Sequence, residues 1–162
     1  MNNTDFIKAV AELGITVTQE HINFLEKYYK LLVEWNEKIN LTAITDHDEV
    51  YLKHFYDSLT LSRVVDLKNE QSLCDIGTGA GFPGIVLKIF FPHLKLTLVD
   101  ALNKRIKFLE IVVKELDLKQ VFLIHARAEE YALKNKEKFD IVTARAVASL
   151  NILLEYSLPL VK

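Results

Sequence analysis

The stretch DIGTGAGFPG, residues 75–84, carries two overlapping glycine patterns. Gly79, Gly81 and Gly84 spell G-x-G-x-x-G, the fingerprint of a dinucleotide-binding turn. Gly77, Gly79 and Gly81, two residues beyond Asp75, spell acidic-x-G-x-G-x-G, which suits a ligand without phosphate. Either pattern belongs between a strand and a helix, and the flanks supply both. SLCDI (72–76) reads as a short buried strand. Residues 83–91 read as a helix, with Pro83 in its first turn and Pro92 as its stop.

Outward from the loop the same grammar repeats. KLTLVD (95–100), VFLIH (121–125) and FDIVTA (139–144) read as three more strands. Helical patterns at 103–116 and 129–135 separate them, and a further helix is expected at 149–158. Strand alternating with helix predicts an open parallel sheet with right-handed crossovers. Before residue 70 the pattern is helical throughout. In TQEHINFLEKYYKLLVEWNEKIN (18–40), Ile22, Leu25, Tyr28, Tyr29, Leu32, Trp35 and Ile39 recur at threes and fours and form one apolar stripe. Thr18 is the expected N-cap. A shorter helix is expected over 5–13, stopped by Gly14, and Asp46 with Glu49 reads as a capping box opening a helix over 48–65. The fold class is therefore α/β. A Rossmann-like core over 69–162 follows an N-terminal helical region over 1–68.

Composition narrows the partners. The 162 residues are half apolar, enough for one good core. No apolar run approaches the ~20 residues that span a bilayer, so no membrane role is expected. The N-terminus MNNTDFIKAV shows no secretory pattern, and Cys74 stands alone in an apolar run, so a cytoplasmic protein is expected. Residues 1–70 hold 12 acidic against 7 basic side chains, and residues 71–162 hold 10 against 13. Neither half is basic enough to argue for a nucleic-acid partner from charge alone.

The flanks of the glycines favour a cationic ligand over a pyrophosphate. Asp75 would stand beside phosphates at an electrostatic cost. Pro83 has no N–H to offer where a helix N-terminus would bind phosphate. Phe82 adds an apolar face. S-adenosylmethionine, with an ammonium and a sulfonium, reverses each objection: Asp75 would favour its charges directly or through water. Gly77 and Gly79 would let the backbone come close to its methionine part. Asp100, ending the second strand, stands where a carboxylate accepts hydrogen bonds from ribose hydroxyls. That role is preferred to its alternative, an N-cap of the following helix.

Several blocks in a fixed order now carry a resemblance: NLTAI from Asn40, HFYDSL from His54, DIGTGAGFPGIVL, LVDALNKRIKFL, ARAEE from Ala126, and FDIVTARAVASLNILLEY. From about residue 28 onward the chain resembles the bacterial ribosomal small-subunit RNA methyltransferase G family, also called glucose-inhibited division protein B. The resemblance implies a Rossmann-like methyltransferase that uses S-adenosylmethionine to methylate N7 of a guanosine in small-subunit ribosomal RNA. Its partner would be that RNA or the assembling small subunit, with neither membrane nor metal involved. By resemblance, Gly77, Phe82, Ala128, Glu129 and Arg145 fall on cofactor-binding positions. Ala128 and Glu129 would present backbone groups to the adenine. Arg145 would either orient the guanine through O6 or form a structural ion pair.

Family members continue through a glycine turn, a strand and a KG motif to a seven-stranded sheet. The expectation here is a shortened sheet without those C-terminal strands, with FDIVTA at its edge. Two other functions stay open at this point: an NAD-dependent oxidoreductase, and a cofactor- or RNA-binding fragment without turnover. A hydrolase built on His54, Asp57 and Ser58 is disfavoured. All three sit on one predicted helix without a nucleophile elbow, and local hydrogen bonding accounts for their spacing. His21, His47, His93 and His125 show no metal-ligand spacing.

Overall fold

The computed structural model describes residues 1–144. The predicted helix at 149–158 and Arg145 lie outside the described residues.

Two capped helices open the chain. α1 (Asn3–Glu12) starts two residues earlier than the sequence suggests, because Asn2 accepts the Asp5 N–H. α2 (Gln19–Ile39) starts on Thr18 as expected, with His21 as the reciprocal partner. Thr18 Oγ1 accepts the His21 N–H, and His21 Nδ1 accepts the Thr18 N–H. Burial, only partly opposed by Glu20, holds the His21 imidazole below its ordinary pKa, in keeping with this accepting role.

The helix predicted over 48–65 is instead four short segments of different pitch. α3 (His47–Val50), capped by Asp46, runs into a π turn (Tyr51–Tyr56), then α4 (Asp57–Leu59), then a 3₁₀ turn (Thr60–Arg63). The reason lies in the burial pattern. Val50 and Tyr51, His54 and Phe55, Ser58 and Leu59 are all buried. These pairs recur every four residues, whereas an α-helix repeats every 3.6. A uniform α-helix would rotate the later pairs off the core; a wider π turn keeps them on it.

From residue 72 the sequence reading and the structure agree closely. β1 (Ser72–Ile76), β2 (Lys95–Asp100) and β3 (Val121–His125) fall where predicted. β4 (Ile141–Thr143) is shorter than FDIVTA. α5 (Gly84–Phe90) begins one residue after Pro83, which is its N-cap. α6 (Asn103–Glu115) and α7 (Ala128–Lys134) differ from expectation by one residue. All pairings are parallel, in the order β3-β2-β1-β4. The chain builds outward from β1 to β3, then returns to place β4 on the other side of β1. Ser72 N–H fastens this return by donating to Asp140 Oδ2 at 2.8 Å.

Alternation along the strands divides the core. Leu73, Leu96 and Leu98 join one large cluster with α5, α6 and the N-terminal helices, including Phe6, Tyr28 and Phe55. Cys74, Ile76 and Val99 face the opposite side, against Tyr131 and Phe139. Burial, reinforced by neighbouring Asp75, pushes the Cys74 thiol up to about 12, which leaves it an inert core group. α5 is buried along its whole length. Even Lys88 is only 2% exposed; its ammonium donates to the Pro92 and Leu94 carbonyls, both at 2.6 Å.

Two glycines make the close packing of α5 possible. A Cβ on Gly84 would lie 2.5 Å from Leu98 Cδ2 and 2.9 Å from Asp75 Oδ2. On Gly81 it would lie 2.6 Å from the Tyr28 hydroxyl and 2.7 Å from Ile85 Cγ1. Gly84→Ala is therefore expected to destabilise the fold by about 1–3 kcal/mol through overpacking. A urea titration checks this, and an unchanged midpoint would show that the neighbours yield without cost.

The helical region also carries a titrating network. His47 Nε2 lies 2.7 Å from Glu26 Oε1, and its Nδ1 lies 2.9 Å from Asp48. Glu26 also accepts the Tyr51 hydroxyl. Burial alone would lower the His47 pKa, but the hydrogen bonds to Asp48 and Glu26 raise it. Burial would raise that of Glu26, but Tyr51 and His47 lower it. The His47 contribution is complete below its unfolded pKa and fades as pH rises through the raised one. The Glu26 contribution fades as pH falls. The pair should thus stabilise most between about pH 4.5 and 6.5. His47→Gln should cost under about 1 kcal/mol there, given the partial exposure, and less at pH 8. Urea midpoints at pH 5.5 and pH 8 measure the difference.

Candidate functional site

In an open parallel sheet, ligands lie beyond the carboxyl ends of the strands, where the strand order reverses. Here that point is between β1 and β4, and the glycine loop leaves β1 beside it. The loop is held from several directions. Thr78 N–H donates to the Val99 carbonyl, and Gly81 N–H to the Thr78 carbonyl. The Tyr28 hydroxyl, reaching in from α2, donates to the Ala80 carbonyl. Asp75 Oδ2 accepts the Thr78 hydroxyl at 2.7 Å and the Gly84 N–H at 2.9 Å.

Asp75 thus departs from its expected place. It is fully buried and does not line the cleft, so it braces the loop and does not touch a ligand's charges directly. The case against a pyrophosphate becomes stronger for a different reason. Pro83 has no N–H, that of Gly84 is bound to Asp75, and that of Ile85 is bound to the Gly81 carbonyl. The first donors of α5 are spent inside the protein, and none of these three remains for phosphate.

A cleft of about 370 Å³ opens above the loop, and four of the expected residues meet in it: Gly77, Gly79, Phe82 and Asp100. Gly77 and Gly79 have φ of +62° and +60°, and a Cβ on either would meet nothing within 4 Å. Their bare backbone leaves room for a ligand to approach. Asp100 is 2% exposed. Its Oδ2 accepts the Gly79 N–H at 2.8 Å, its Oδ1 accepts the Leu102 N–H at 2.9 Å, and Arg105 Nη1 stands 3.6 Å from Oδ2. It is not the N-cap of α6, a position taken by Leu102. A carboxylate has about four acceptor directions, so these two backbone bonds leave capacity for hydroxyl donors. The free acceptor capacity of Asp100 fits the hydroxyls of a nucleoside, and the spent donors of α5 do not favour a phosphate.

Ala128 and Glu129 begin α7 and do not line this cleft. The segment before them is tied to the end of β2: the Ala126 N–H donates to the Asp100 carbonyl, and His125 Nε2 is 3.0 Å from the Ala101 carbonyl. Leu41, Leu102 and Arg105 also line the cleft. Leu41 sits inside the NLTAI block, and Arg105 lies just over one helical turn past Asp100, but neither spacing alone marks a site. A larger cavity of about 600 Å³, among Leu13, Arg63, Val64 and Phe91, shares no residue with the glycine loop or the strand ends.

His54, Asp57 and Ser58 form no catalytic triad. Ser58 Oγ donates to the His54 carbonyl, as local helix bonding predicts, while the His54 ring lies against Phe82 and Thr42. Among the described residues no three His, Cys, Asp or Glu side chains gather as a metal site would require.

A sequence model of the family described as rRNA small subunit methyltransferase G (GidB) matches residues 21–162. The ribosomal RNA small subunit methyltransferase G of Exiguobacterium sibiricum is 54% identical over 165 residues, covering all of this chain and 69% of that protein. Its namesake in Bacillus subtilis is 52% identical over 164 residues, with the same coverage. Among solved structures, a SAM-dependent methyltransferase from Aquifex aeolicus superposes with a TM-score of 0.56 at 21% identity, over 72% of this chain and 63% of that one. That likeness shows the Rossmann-like fold. With the family match across most of the sequence, and with the glycine loop and Asp100 meeting at the carboxyl ends of β1 and β2, the chain belongs to the rRNA small subunit methyltransferase G family.

Proposed function

We propose that this chain binds S-adenosylmethionine in the cleft above the glycine loop and methylates N7 of a guanosine in small-subunit ribosomal RNA. The observation that carries the reading is the meeting of Gly77, Gly79, Phe82 and Asp100 at the carboxyl ends of β1 and β2. The fold and family place it among S-adenosylmethionine-dependent rRNA methyltransferases.

S-adenosylmethionine supplies a methyl group on a positively charged sulfur. Guanine N7 has a lone pair and no proton to lose, so this chain's residues need only hold the two partners in line and manage charge. Gly77 and Gly79 receive the methionine part against bare backbone. Asp100 accepts hydrogen bonds from the ribose hydroxyls, and Phe82 gives an apolar wall. By the family resemblance Ala128 and Glu129 would present backbone groups to the adenine, and Arg145, outside the described residues, would orient the guanine through O6 or form an ion pair. Residues 1–68 serve as a helical region built onto the core at 69–162. The substrate is the RNA itself or the assembling subunit, met in the cytoplasm. No helix of the described residues is long and apolar enough to cross a membrane.

Calorimetric titration should show saturable binding of S-adenosylmethionine and none of NAD. The reverse pattern would return the loop to the dinucleotide class. Undermethylated small-subunit RNA should accept labelled methyl from the protein, with the label at guanine N7 after nuclease digestion.

Asp100→Ala removes charge-assisted bonds to the ribose worth roughly 1.5–3 kcal/mol, so affinity should fall about ten- to a hundredfold. Because Asp100 also ties Gly79 to Leu102, the ligand-free melting temperature should fall too. An unchanged dissociation constant with a lowered melting temperature would make Asp100 purely structural.

A further inference from the structure

Two apolar walls of the cleft, Leu41 and Phe82, are far apart in sequence, and one side chain reaches the supports of both. Leu41 follows α2, where Asn36 Oδ1 accepts the N–H groups of Leu41 at 2.6 Å and Thr42 at 2.8 Å. Thr42 Oγ1 accepts the Ile44 N–H at 3.0 Å and lies 2.9 Å from His54 Nε2. On its other side, the His54 ring lies parallel to Phe82, with 6° between planes and 4.3 Å between centroids. His54 is 8% exposed and does not itself line the cleft.

We propose that His54 is a positioning residue of the cofactor cleft, fixing Leu41 through Thr42 and the plane of Phe82 through the ring stack. This rests on the reading of the cleft as the S-adenosylmethionine site. A residue that only filled the core could be any flat aromatic. The hydrogen bond to Thr42 is an interaction of His54 that a phenyl ring lacks, and it reaches the Leu41 wall. The N-terminal helical region would thereby set the width of a cleft whose floor belongs to the sheet.

Three substitutions separate positioning from packing. His54→Phe keeps the stack and removes the hydrogen bond. Thr42→Val removes the hydroxyl from a partly exposed residue with little change in shape. Thr42→Ser restores the hydroxyl. S-adenosylmethionine affinity, measured by calorimetry well below each variant's melting temperature, should fall about three- to tenfold in His54→Phe and in Thr42→Val. It should return toward the wild-type value in Thr42→Ser. The double variant should bind no more weakly than the weaker single one, because both break the same bond. In methyl transfer, KM for S-adenosylmethionine should rise while kcat at saturation stays within about twofold. Lower melting temperatures with unchanged affinity would overturn the positioning role, as would additive losses in the double variant. Wild-type protein that binds no S-adenosylmethionine would overturn the reading of the cleft, and this inference with it.

Discussion

The arrangement depends on one buried carboxylate. Asp75 has no exposed surface, and a carboxyl group so placed is costly unless it finds hydrogen-bond partners. The glycine loop supplies two to Oδ2: the Thr78 hydroxyl just after β1 and the Gly84 N–H at the start of α5. The loop must therefore curl over Asp75, which brings α5 down onto β2 with Gly84 against Leu98. The same curl spends the first donors of α5 and turns Gly77 and Gly79 toward open space. The shortage of free N–H donors at the start of α5 thus follows from an internal hydrogen-bond requirement.

The helical region is continuous with the core. Tyr28 packs against Phe55 and Phe82 and donates to the loop at Ala80. Phe6, Tyr51 and Phe55 share a cluster with sheet residues Leu73, Leu96 and Leu98. A change in the first sixty residues therefore bears directly on the cleft.

The sheet was legible in the sequence because each strand is a short apolar run closed by a turn or a cap, and the chain alternates cleanly between two periods. The segment after Asp46 was not, because its burial repeats every four residues, between the periods of the usual templates. Asp75 was misplaced for a related reason. An acidic residue before a glycine loop has the same spelling whether it faces the ligand or the loop, and only burial separates the two. The four loop glycines were equally ambiguous by spacing; contacts divide them into Gly81 and Gly84, which pack, and Gly77 and Gly79, which face the cleft. Leu41, Arg105 and the Thr42–His54 pair depend on contacts across many residues of chain, which no local pattern records.

The strand order also bears on how the chain assembles. Pairing β1 with β2 closes a loop of about 23 residues, as Ser72 meets Lys95. Pairing β1 with β4 closes about 68, as Leu73 meets Ile141. The longer closure costs about 1 kcal/mol more in chain entropy, and β4 returns only three residues of ladder for it. Every residue lining the cleft lies between positions 41 and 105, on the short-closure side of the sheet. Chain entropy thus favours completing the cleft-lining half first and adding β4, anchored by Asp140 on Ser72, to a surface already formed.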